Sequence, residues 1–374
     1  MRVAYFTDTD RLGGAERVLC DLATGAVAAG HEVVLLAPQQ WLLDYLSAAV
    51  AGLRTQRVGP SALRSTAGRA VRGASVAGQL PVLARALRAL RPDVLHVSNG
   101  GYPGSDLCRI AILAGRLAGV PRRLMSVHAV PRGRGEHQPP GQRHIDLAVW
   151  SSTHAVVGAT AAVRTGLVEL RGMPEALYAR IPYGVSDPGG ADRADALRAR
   201  LRIDPRRLVV GMVSATSDGQ KGHRVLVDAV AASVDACALI VGASPPPDVL
   251  ARAAGPDLVE RVIVAGRVED VGAAYHAMDV LAVPSVEDES LPLVLLEAMA
   301  CARPVFGSRL AGIPEVVEHE CTGALFPPGD AAALGALIRD RTGDLKRWGV
   351  NGRERWAERF SVDAMNRDTL QLYQ

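Results

Sequence analysis

Two glutamates stand eight positions apart around the start of an apolar segment. Glu289 lies in the polar run VEDES, and Glu297 lies in the apolar run LPLVLLEAMA. Pro292 stands between them, and proline is well suited to the first turn of a helix. A helix start offers unpaired N–H groups that favour phosphate, while carboxylates accept hydrogen bonds from hydroxyl groups. The pattern could bind a sugar beside a diphosphate; a solvated Glu289 and a locally paired Glu297 are the alternative.

Other residues of suitable type follow predicted strands. Gly13 and Gly14 come after the first strand, where glycine can adopt positive φ and let the backbone approach a phosphate; a plain tight turn is the alternative. Lys221, in QKG, is one of two lysines among 42 cationic residues. A lysine retained in an arginine-rich chain is a weak indication that this position needs an ammonium group. The alternative is a solvated surface lysine. His128 ends a strand in SVHAV, where it is either structural or a hydrogen-bond partner of a ligand.

The composition describes an ordinary soluble protein with more than one domain. Of 374 residues, 48% are hydrophobic and 22% charged, and the net charge is only +3. Nothing global therefore demands nucleic acid, and 4% aromatic residues argue against base-stacking platforms. The five cysteines lack metal-ligand spacing, so reduced thiols in a cytoplasmic protein are expected. Without an apolar leader or a long apolar run, neither a signal peptide nor a transmembrane helix is expected.

Short apolar runs alternate with helical segments along the chain. RVAYF, HEVVLLAP, LVVGMVSA and CALIVGA are typical of buried strands, and the segments after them have helical spacing. This alternation predicts βαβ units and parallel sheets. The polar segment 186–207 predicts a junction between a first domain, 1–185, and a second domain, 208–355. The tail 356–374 is typical of one or two amphipathic helices.

The order of the motifs resembles that of retaining glycosyltransferases of family 4, which have the GT-B architecture. The run PSVEDESLPLVLLEAMACARPV, followed by AGIPEVVEHECTGALFPPGD, is similar to the C-terminal signature of that family, including its Glu-x7-Glu motif. GGAERV, SVHAV, YARIPYGVS, QKG and RFSVDAMNRDTLQLY also occur in the family's order. The resemblance implies an α/β fold with two Rossmann-like parallel-sheet domains facing each other across a cleft. It also implies that C-terminal helices pack back on the first domain.

The resemblance implies roles for the two glutamates and the residues between them. Glu289 would bind hydroxyl groups of the donor sugar, and Glu297 would bind the ribose hydroxyls of the nucleotide. The backbone between the two would face the sugar and the diphosphate. This stretch comprises Ser290, Leu291, Pro292, Leu293 and Val294.

Further roles are implied for residues outside the glutamate pair. Lys221 would neutralise the leaving diphosphate as a point charge, so that Glu289, Lys221 and His128 are the predicted catalytic residues. His128 would bind a hydroxyl of the donor sugar, and Val268, in AGRVED, would contact the nucleobase. Asn99, which ends the strand in HVSNGG, is a weaker candidate on the acceptor side.

The two glycines would serve the donor as well. Gly14, together with Gly13, would contact the donor phosphate across the cleft. The preceding DTD triplet is similar to a metal-binding triplet, but GT-B enzymes generally need no divalent metal. No metal and no other cofactor are therefore expected.

One feature departs from the family pattern. The family usually carries an arginine about five residues before the lysine of QKG. Here the residues 214–217 are Ser, Ala, Thr and Ser. Arg224 and Arg11 are the candidate substitutes for the missing phosphate clamp.

The implied reaction moves a sugar from a nucleotide-sugar to an acceptor with retention of anomeric configuration. A UDP-sugar is favoured and a GDP-sugar is the other option; the acceptor could be a saccharide, a lipid or a specialised metabolite. The alternatives are a pseudo-glycosyltransferase, a sugar-nucleotide epimerase, or a non-catalytic protein that binds nucleotide-sugars. A dinucleotide oxidoreductase is disfavoured because the first strand leads into TDTDRLGGAE and not into a G-x-G-x-x-G turn.

Basic segments of the first domain bear on the acceptor. Residues 53–92 contain eight arginines and no acidic residue. The segment 54–91 could contact anionic lipid at the inner face of a membrane or hold an anionic acceptor, and a solvated arginine-rich face is the alternative. A second basic loop, 131–144, follows His128 and is the better candidate for acceptor selectivity, since long loops beside a site commonly determine it.

Overall fold

The computed structural model describes residues 1–59, 78–131, 133, 141–217, 219–256, 258–287 and 289–374. These divide into two compact units. The first comprises Met1–Tyr183 together with Val362–Gln374, and the second comprises Gly184–Ser361. Each unit is a parallel sheet with helices between its strands, so the predicted α/β class with two Rossmann-like sheets is confirmed.

The first unit contains a seven-stranded parallel sheet in the order β3-β2-β1-β4-β5-β6-β7. Its strands are Arg2–Thr7 (β1), Glu32–Ala37 (β2), Arg54–Arg57 (β3), Val94–Asn99 (β4), Arg122–Val127 (β5), Ala155–Gly158 (β6) and Tyr178–Arg180 (β7). The chain runs outward from β1 to β3 and then restarts on the other side at β4. The carboxyl ends of β1 and β4 therefore flank the point where the strand order reverses, which is where ligands commonly bind in such sheets.

Helices connect the strands of the first unit. They are Gly14–Ala28 (α1), Gln40–Ala49 (α2), Gln79–Leu90 (α3), Asp106–Ala118 (α4), Gln142–Trp150 (α5) and Ala161–Thr165 (α6), the last continuing into a π-helical turn at Gly166–Leu170. Helix α4 shows why the boundaries fall where they do. The Ser105 hydroxyl caps its start by accepting from the Leu107 N–H at 3.1 Å, and Gly119 ends it in the left-handed conformation with φ 76°.

The second unit contains a six-stranded parallel sheet in the order β10-β9-β8-β11-β12-β13. Its strands are Leu208–Ser214 (β8), Ala236–Gly242 (β9), Val262–Gly266 (β10), Val280–Val283 (β11), Val305–Ser308 (β12) and Gly323–Phe326 (β13). Here the strand order reverses between β8 and β11. The loops after these two strands are therefore the expected ligand-binding loops of this unit.

Helices of the second unit follow the same alternation. They are Ala194–Arg200 (α7), His223–Ala231 (α8), Pro247–Ala253 (α9), Val271–Ala277 (α10), Leu293–Ala300 (α11), Ile313–Val316 (α12), Ala331–Asp340 (α13) and Leu345–Arg359 (α14). Helix α7 lies within the segment 186–207, and Arg198 ties it to Asp279 at 2.8 Å.

Central strands of both sheets are buried on both faces. Val97 in the first unit, and Val210, Ile240 and Val280 in the second, are completely buried. Strands covered by helices on both sides have continuous apolar runs and not alternating ones, which is why these runs stand out in the sequence. Burying one such side chain stabilises the fold by roughly 1.5–3 kcal/mol.

The two C-terminal helices belong to different units. Helix α14 stays in the second unit, where the Trp356 indole N–H donates to the Val185 carbonyl at 3.2 Å. The last helix, Val362–Gln371 (α15), packs against α1 in the first unit, and Asn366 donates to the Asp21 carbonyl at 3.2 Å. Thus only the second of the two helices packs back on the first domain.

Within the described ranges, no helix combines the length and the apolar character needed to cross a bilayer. The arginine-rich segment 54–91 is described only at its ends, which form β3 and α3; residues 60–77 lie outside the described residues. Membrane contact through this segment stays a prediction. In the basic loop 131–144, residues 132 and 134–140 likewise lie outside the described residues.

Candidate active site

Lys221 and Glu289 meet at the reversal point of the second sheet. Lys221 follows β8, Glu289 follows β11, and the lysine Nζ lies 2.8 Å from Glu289 Oε1. The Ser285 hydroxyl donates to the same carboxylate oxygen at 2.6 Å. The Glu289 side chain is only 12% exposed, so water screens this ion pair only in part. Two residues predicted from separate motifs are therefore in direct contact.

The turn that presents Lys221 is fixed to the loop after β11. It is a single 3₁₀ turn, Gly219–Lys221, and the Val286 N–H donates to the Gln220 carbonyl at 2.8 Å. Gly222 follows in the left-handed conformation with φ 73°, and a Cβ there would lie 1.9 Å from the Pro284 carbonyl oxygen. Only glycine fits this close approach, so the glycine of QKG sets the position of the lysine.

Helix α11 begins beside this pair. Pro292 occupies its N-cap position, and the predicted donor-binding stretch 290–294 crosses the start of the helix. The first N–H groups of a helix have no intrahelical partner. Ser290 is 8% exposed, and its hydroxyl has no hydrogen-bond partner among the described residues. The arrangement offers backbone amides and one buried hydroxyl to an anion.

Glu297 lies about one and a half turns inside α11 and is 3% exposed. Its Oε2 accepts a 2.5 Å hydrogen bond from the hydroxyl of Tyr275, a fully buried residue of α10. The sequence pattern did not identify Tyr275, because its contact with Glu297 depends on tertiary packing and not on spacing along the chain. Tyr275 therefore orients the carboxylate that is predicted to bind ribose.

Val268 lies in the loop after β10 and is half-buried. Strand β10 is separated from β8 by β9, which places the two loops about 10 Å apart at the ordinary strand spacing. Val268 is thus at the same end of the sheet as Lys221 but not in the Lys221–Glu289 cluster.

The glycine pair of the first unit has a different conformation from the one predicted. Gly13 is extended, with φ −154°, and its N–H donates to Glu16 Oε2 at 2.8 Å. Gly14 is the first residue of α1. Neither glycine adopts positive φ, so that part of the prediction is wrong. The reason is local: Glu16, one turn into the helix, holds the Gly13 amide in an ordinary N-terminal arrangement.

His128 follows β5, and both of its ring nitrogens are engaged. Nε2 lies 2.9 Å from the Ser98 hydroxyl, and Nδ1 lies 2.9 Å from the Tyr183 hydroxyl. The Tyr183 hydroxyl also lies 3.3 Å from the His128 carbonyl oxygen, so Tyr183 and Ser98 fix the orientation of the ring. The ring is largely withdrawn from water, which lowers the pKa of His128 to about 4, so the ring is neutral near pH 7.

Asn99 is fully buried at the end of β4. Its Oδ1 accepts from the Ser105 N–H at 3.1 Å, and its Nδ2 donates to the Pro103 carbonyl at 3.3 Å. Asn99 therefore braces the loop before α4. Asp8, from the DTD triplet, accepts from Gln39 Nε2 at 2.6 Å and from the Ser105 hydroxyl.

Arg224 and Arg11, the candidate substitutes for the missing arginine, lie on the surface of the described ranges. No group of three or more histidine, cysteine, aspartate or glutamate side chains there is arranged to hold a metal ion. Arg224 pairs with Asp248 at 3.0 Å and with Asp228 at 3.7 Å, and its side chain is 64% exposed. Its guanidinium is thus engaged by acids on the surface of the second unit. Arg11 lies in the exposed segment before α1.

Curated relatives match parts of the chain. Phosphatidyl-myo-inositol mannosyltransferase of Mycobacterium leprae is 37% identical over 170 residues, which cover 43% of this chain and 44% of the relative. N-acetyl-alpha-D-glucosaminyl L-malate synthase of Bacillus anthracis is 36% identical over 137 residues, 35% of each chain. D-inositol 3-phosphate glycosyltransferase of Salinispora tropica is 33% identical over 211 residues, 50% of this chain and 42% of the relative. The chain thus spans less than half the length of each of these relatives.

Solved structures match over nearly the whole length. Anabaena Alr3699/HepE, crystallised with UDP, superposes with a TM-score of 0.81 at 19% identity and covers 99% of both chains. A glycosyltransferase from Rickettsia africae superposes with a TM-score of 0.83 at 19% identity, covering 100% of this chain and 97% of that one. At such identities the likeness shows the fold, which is GT-B.

Family models match both halves of the chain. Residues 12–187 match the family described as Glycosyltransferase Family 4, and residues 207–342 match the one described as Glycosyl transferases group 1. The two matches follow each other in the order that the motifs predict and together cover most of the chain, which therefore belongs to glycosyltransferase family 4.

Proposed function

We propose that this chain is a retaining glycosyltransferase that moves a sugar from a nucleotide-sugar donor to an acceptor. The observation that carries the proposal is the contact of Lys221 with Glu289, 2.8 Å apart beside the start of α11. An ammonium and free backbone amides supply the positive charge that a diphosphate needs. The carboxylates supply acceptors for sugar and ribose hydroxyls.

A UDP-sugar is the proposed donor, with a GDP-sugar as the other option. Support comes from the Anabaena protein, whose crystal structures contain UDP and, in another crystal, UDP-glucose. The fold match to the UDP complex covers 99% of both chains. The match to the UDP-glucose complex covers 99% of this chain and 98% of the Anabaena chain. No metal is part of the proposal, because Lys221 and the amides of α11 supply positive charge at the diphosphate.

In the proposed mechanism Lys221 binds both the Glu289 carboxylate and a phosphate oxygen of the donor. An ammonium has three N–H donors, so Lys221 can keep its bond to Glu289 while it directs another N–H to a phosphate oxygen. Charge that develops on the departing diphosphate is then stabilised by groups that are already in position. Ser285 and Lys221 both donate to Oε1 of Glu289, which leaves Oε2 for a sugar hydroxyl.

In this proposal the anomeric configuration is retained because the acceptor attacks the anomeric carbon on the same face from which the leaving group departs. A double displacement needs a carboxylate beside the anomeric carbon, and Glu289 is assigned to sugar hydroxyls. The bond from the anomeric carbon to the phosphate oxygen breaks, and the bond to the acceptor oxygen forms on the same face. The acceptor proton passes to the departing phosphate oxygen. The protein contributes mainly position and charge stabilisation.

A saccharide, a lipid or a specialised metabolite is the proposed acceptor. The names of three relatives include phosphatidyl-myo-inositol, L-malate and D-inositol 3-phosphate. Each of these compounds carries a phosphate or carboxylate group. This supports an acceptor with a negative charge.

The test is a screen of nucleotide-sugars with product detection by mass spectrometry, on the wild type and two lysine variants. Lys221→Ala should slow donor turnover by about 10²-fold or more, as expected for a lost charge at the leaving group. Lys346→Ala, which removes the chain's other, exposed lysine, should turn over like the wild type. Equal rates in both variants, or no nucleotide-sugar consumed by the wild type, would overturn the proposal.

A further inference from the structure

A buried arginine of the first unit has hydrogen-bond donors without partners. Arg109, the fourth residue of α4, is 7% exposed. Its Nη2 bonds Asp106 in the first turn of the helix. Its Nε and Nη1 are buried and have no hydrogen-bond partner among the described residues. Burying charged donors in this way is costly unless a partner compensates.

No acid among the described residues bonds Nε or Nη1 of Arg109. Asp146, 1% exposed, accepts from the Tyr102 hydroxyl at 3.0 Å and from Gln142 at 2.7 Å, and lies 3.9 Å from the fully buried Arg171. Asp106 is half exposed and reaches one nitrogen of Arg109. The described part of this cluster thus buries two guanidinium groups with one buried carboxylate. With the half-exposed Asp106 included, guanidinium groups and carboxylates are equal in number, but Nε and Nη1 of Arg109 still have no partner among the described residues.

The free donors lie beside a second source of positive potential. Helical side chains point toward the helix N-terminus, and the bond to Asp106 shows that the Arg109 guanidinium lies over the first turn of α4. That 13-residue helix follows β4, at the reversal point of the first sheet. The carboxylates of Asp8 and Asp106 already lie at this helix start, so the donors left for a further oxyanion are Nε and Nη1 of Arg109, which have no partner among the described residues.

We propose that Arg109 and the first turn of α4 form a subsite for a phosphate or carboxylate group of the acceptor. That the anionic group belongs to the acceptor rests on the proposed function, whereas the affinity for an oxyanion rests on Arg109 itself. Arginine suits this role because it stays charged and presents several donors in a fixed plane. The sequence did not single out Arg109, since the chain carries 40 arginines and only burial distinguishes this one.

Titration calorimetry on the full chain, saturated with UDP, tests the subsite with sn-glycerol 3-phosphate, succinate and uncharged glycerol. We expect glycerol 3-phosphate, succinate or both to bind, and glycerol not to bind. Which anion binds assigns phosphate or carboxylate. Arg109→Gln should weaken binding about tenfold or more, as for a lost charged hydrogen bond. Arg116→Gln, which changes an exposed arginine in the last turn of the same helix, should bind like the wild type.

Melting temperatures separate the subsite from a purely structural role. Arg109→Met removes a guanidinium whose burial is incompletely compensated, so its melting temperature should equal or exceed that of the wild type. A marked fall would identify Arg109 as structural and overturn the subsite. The subsite would also be overturned if Arg109→Gln bound the anions as tightly as the wild type does, or if a wild type that binds UDP bound neither anion. Both results would leave the proposed function intact. A wild type that binds no nucleotide would instead overturn the proposed function.

Discussion

Lys221 is one of two lysines in a chain with 40 arginines, and its surroundings explain the choice. It reaches Glu289 from a single 3₁₀ turn, and its side chain remains 30% exposed. A compact ammonium can share its three donors between a carboxylate and a phosphate, whereas the planar fork of arginine would commit two donors to one partner. Under the proposed function, the residue type follows from the need to bind two anions at once.

Tyr275→Phe is predicted to weaken nucleotide binding more than it slows transfer at saturating donor. The variant removes the 2.5 Å hydrogen bond that orients Glu297, and a buried acceptor that loses its donor costs about 1–3 kcal/mol. We expect the Kd for UDP to rise by about tenfold, measured by titration calorimetry. KM should rise with it, while kcat changes less.

A buried tyrosine of the first unit supplies the control. Tyr373→Phe removes a fully buried hydroxyl that contacts Tyr5 and His96, so it should lower the melting temperature and leave UDP affinity unchanged. If Tyr275→Phe bound UDP as tightly as the wild type does, Tyr275 would have no positioning role.

At the scale of elements, one directed chain of hydrogen bonds ties α15 to the first sheet. Tyr5 donates to the Leu22 carbonyl at 3.2 Å and therefore accepts from Tyr373 at 2.9 Å. Tyr373 in turn accepts from His96 Nδ1 at 2.7 Å, and His96 Nε2 accepts from Ser126 at 2.7 Å. The C-terminal segment is thus held by a neutral histidine in β4. Its attachment should depend on pH.

Acid is predicted to destabilise the first unit through His96. Burial, and to a smaller extent His128, lowers the pKa of His96 from 6.5 to about 3. Between these two pKa values the His96 imidazole is therefore protonated in the unfolded chain and neutral in the folded chain. The contribution to stability is complete above about pH 6.5 and is lost as the pH falls toward 3, by about 3–5 kcal/mol in total.

Urea denaturation at about pH 7.5 and about pH 4.5 measures this loss. His96→Gln should show a smaller difference between the two conditions than the wild type, whatever its stability at neutral pH. His144→Gln, an exposed position in α5, should keep the wild-type difference. An undiminished pH dependence in His96→Gln would show that His96 is not the group responsible.

Apolar runs made most strands predictable, and the exceptions have physical causes. Strands β8 and β9 fill runs of buried residues, so the sequence marks them clearly. Strand β3 is fully exposed and reads RTQR, so neither burial nor alternation marks it. It pairs only because its backbone completes the edge beside β2.

The candidate site was predictable where a motif fixes spacing along the chain. Glu289 and Lys221 were predicted separately, and the adjacency of β8 and β11 brings them together. Tyr275 and Arg109 were missed because burial and packing, not spacing, give them their partners. Positive φ at Gly13 was predicted wrongly, since the sequence alone does not show that Glu16 takes its amide.

At the scale of the whole molecule, the chain builds the same kind of sheet twice. Both sheets have a point where the strand order reverses, and polar residues lie at the strand ends and in the loops beside each point. In the second unit these are Lys221 and Glu289; in the first they include Asp8 and Asn99. The repeated alternation was visible in the sequence, whereas the strand orders emerge only from pairing.

The most direct measurement of the central claim is a crystal structure of this chain bound to UDP. We expect the diphosphate within about 2.7–3.2 Å of Lys221 Nζ and of backbone amides in the stretch 290–294, with the ribose hydroxyls on Glu297. A diphosphate bound elsewhere, with Lys221 still paired only to Glu289 and Glu297 still paired only within the protein, would contradict the account.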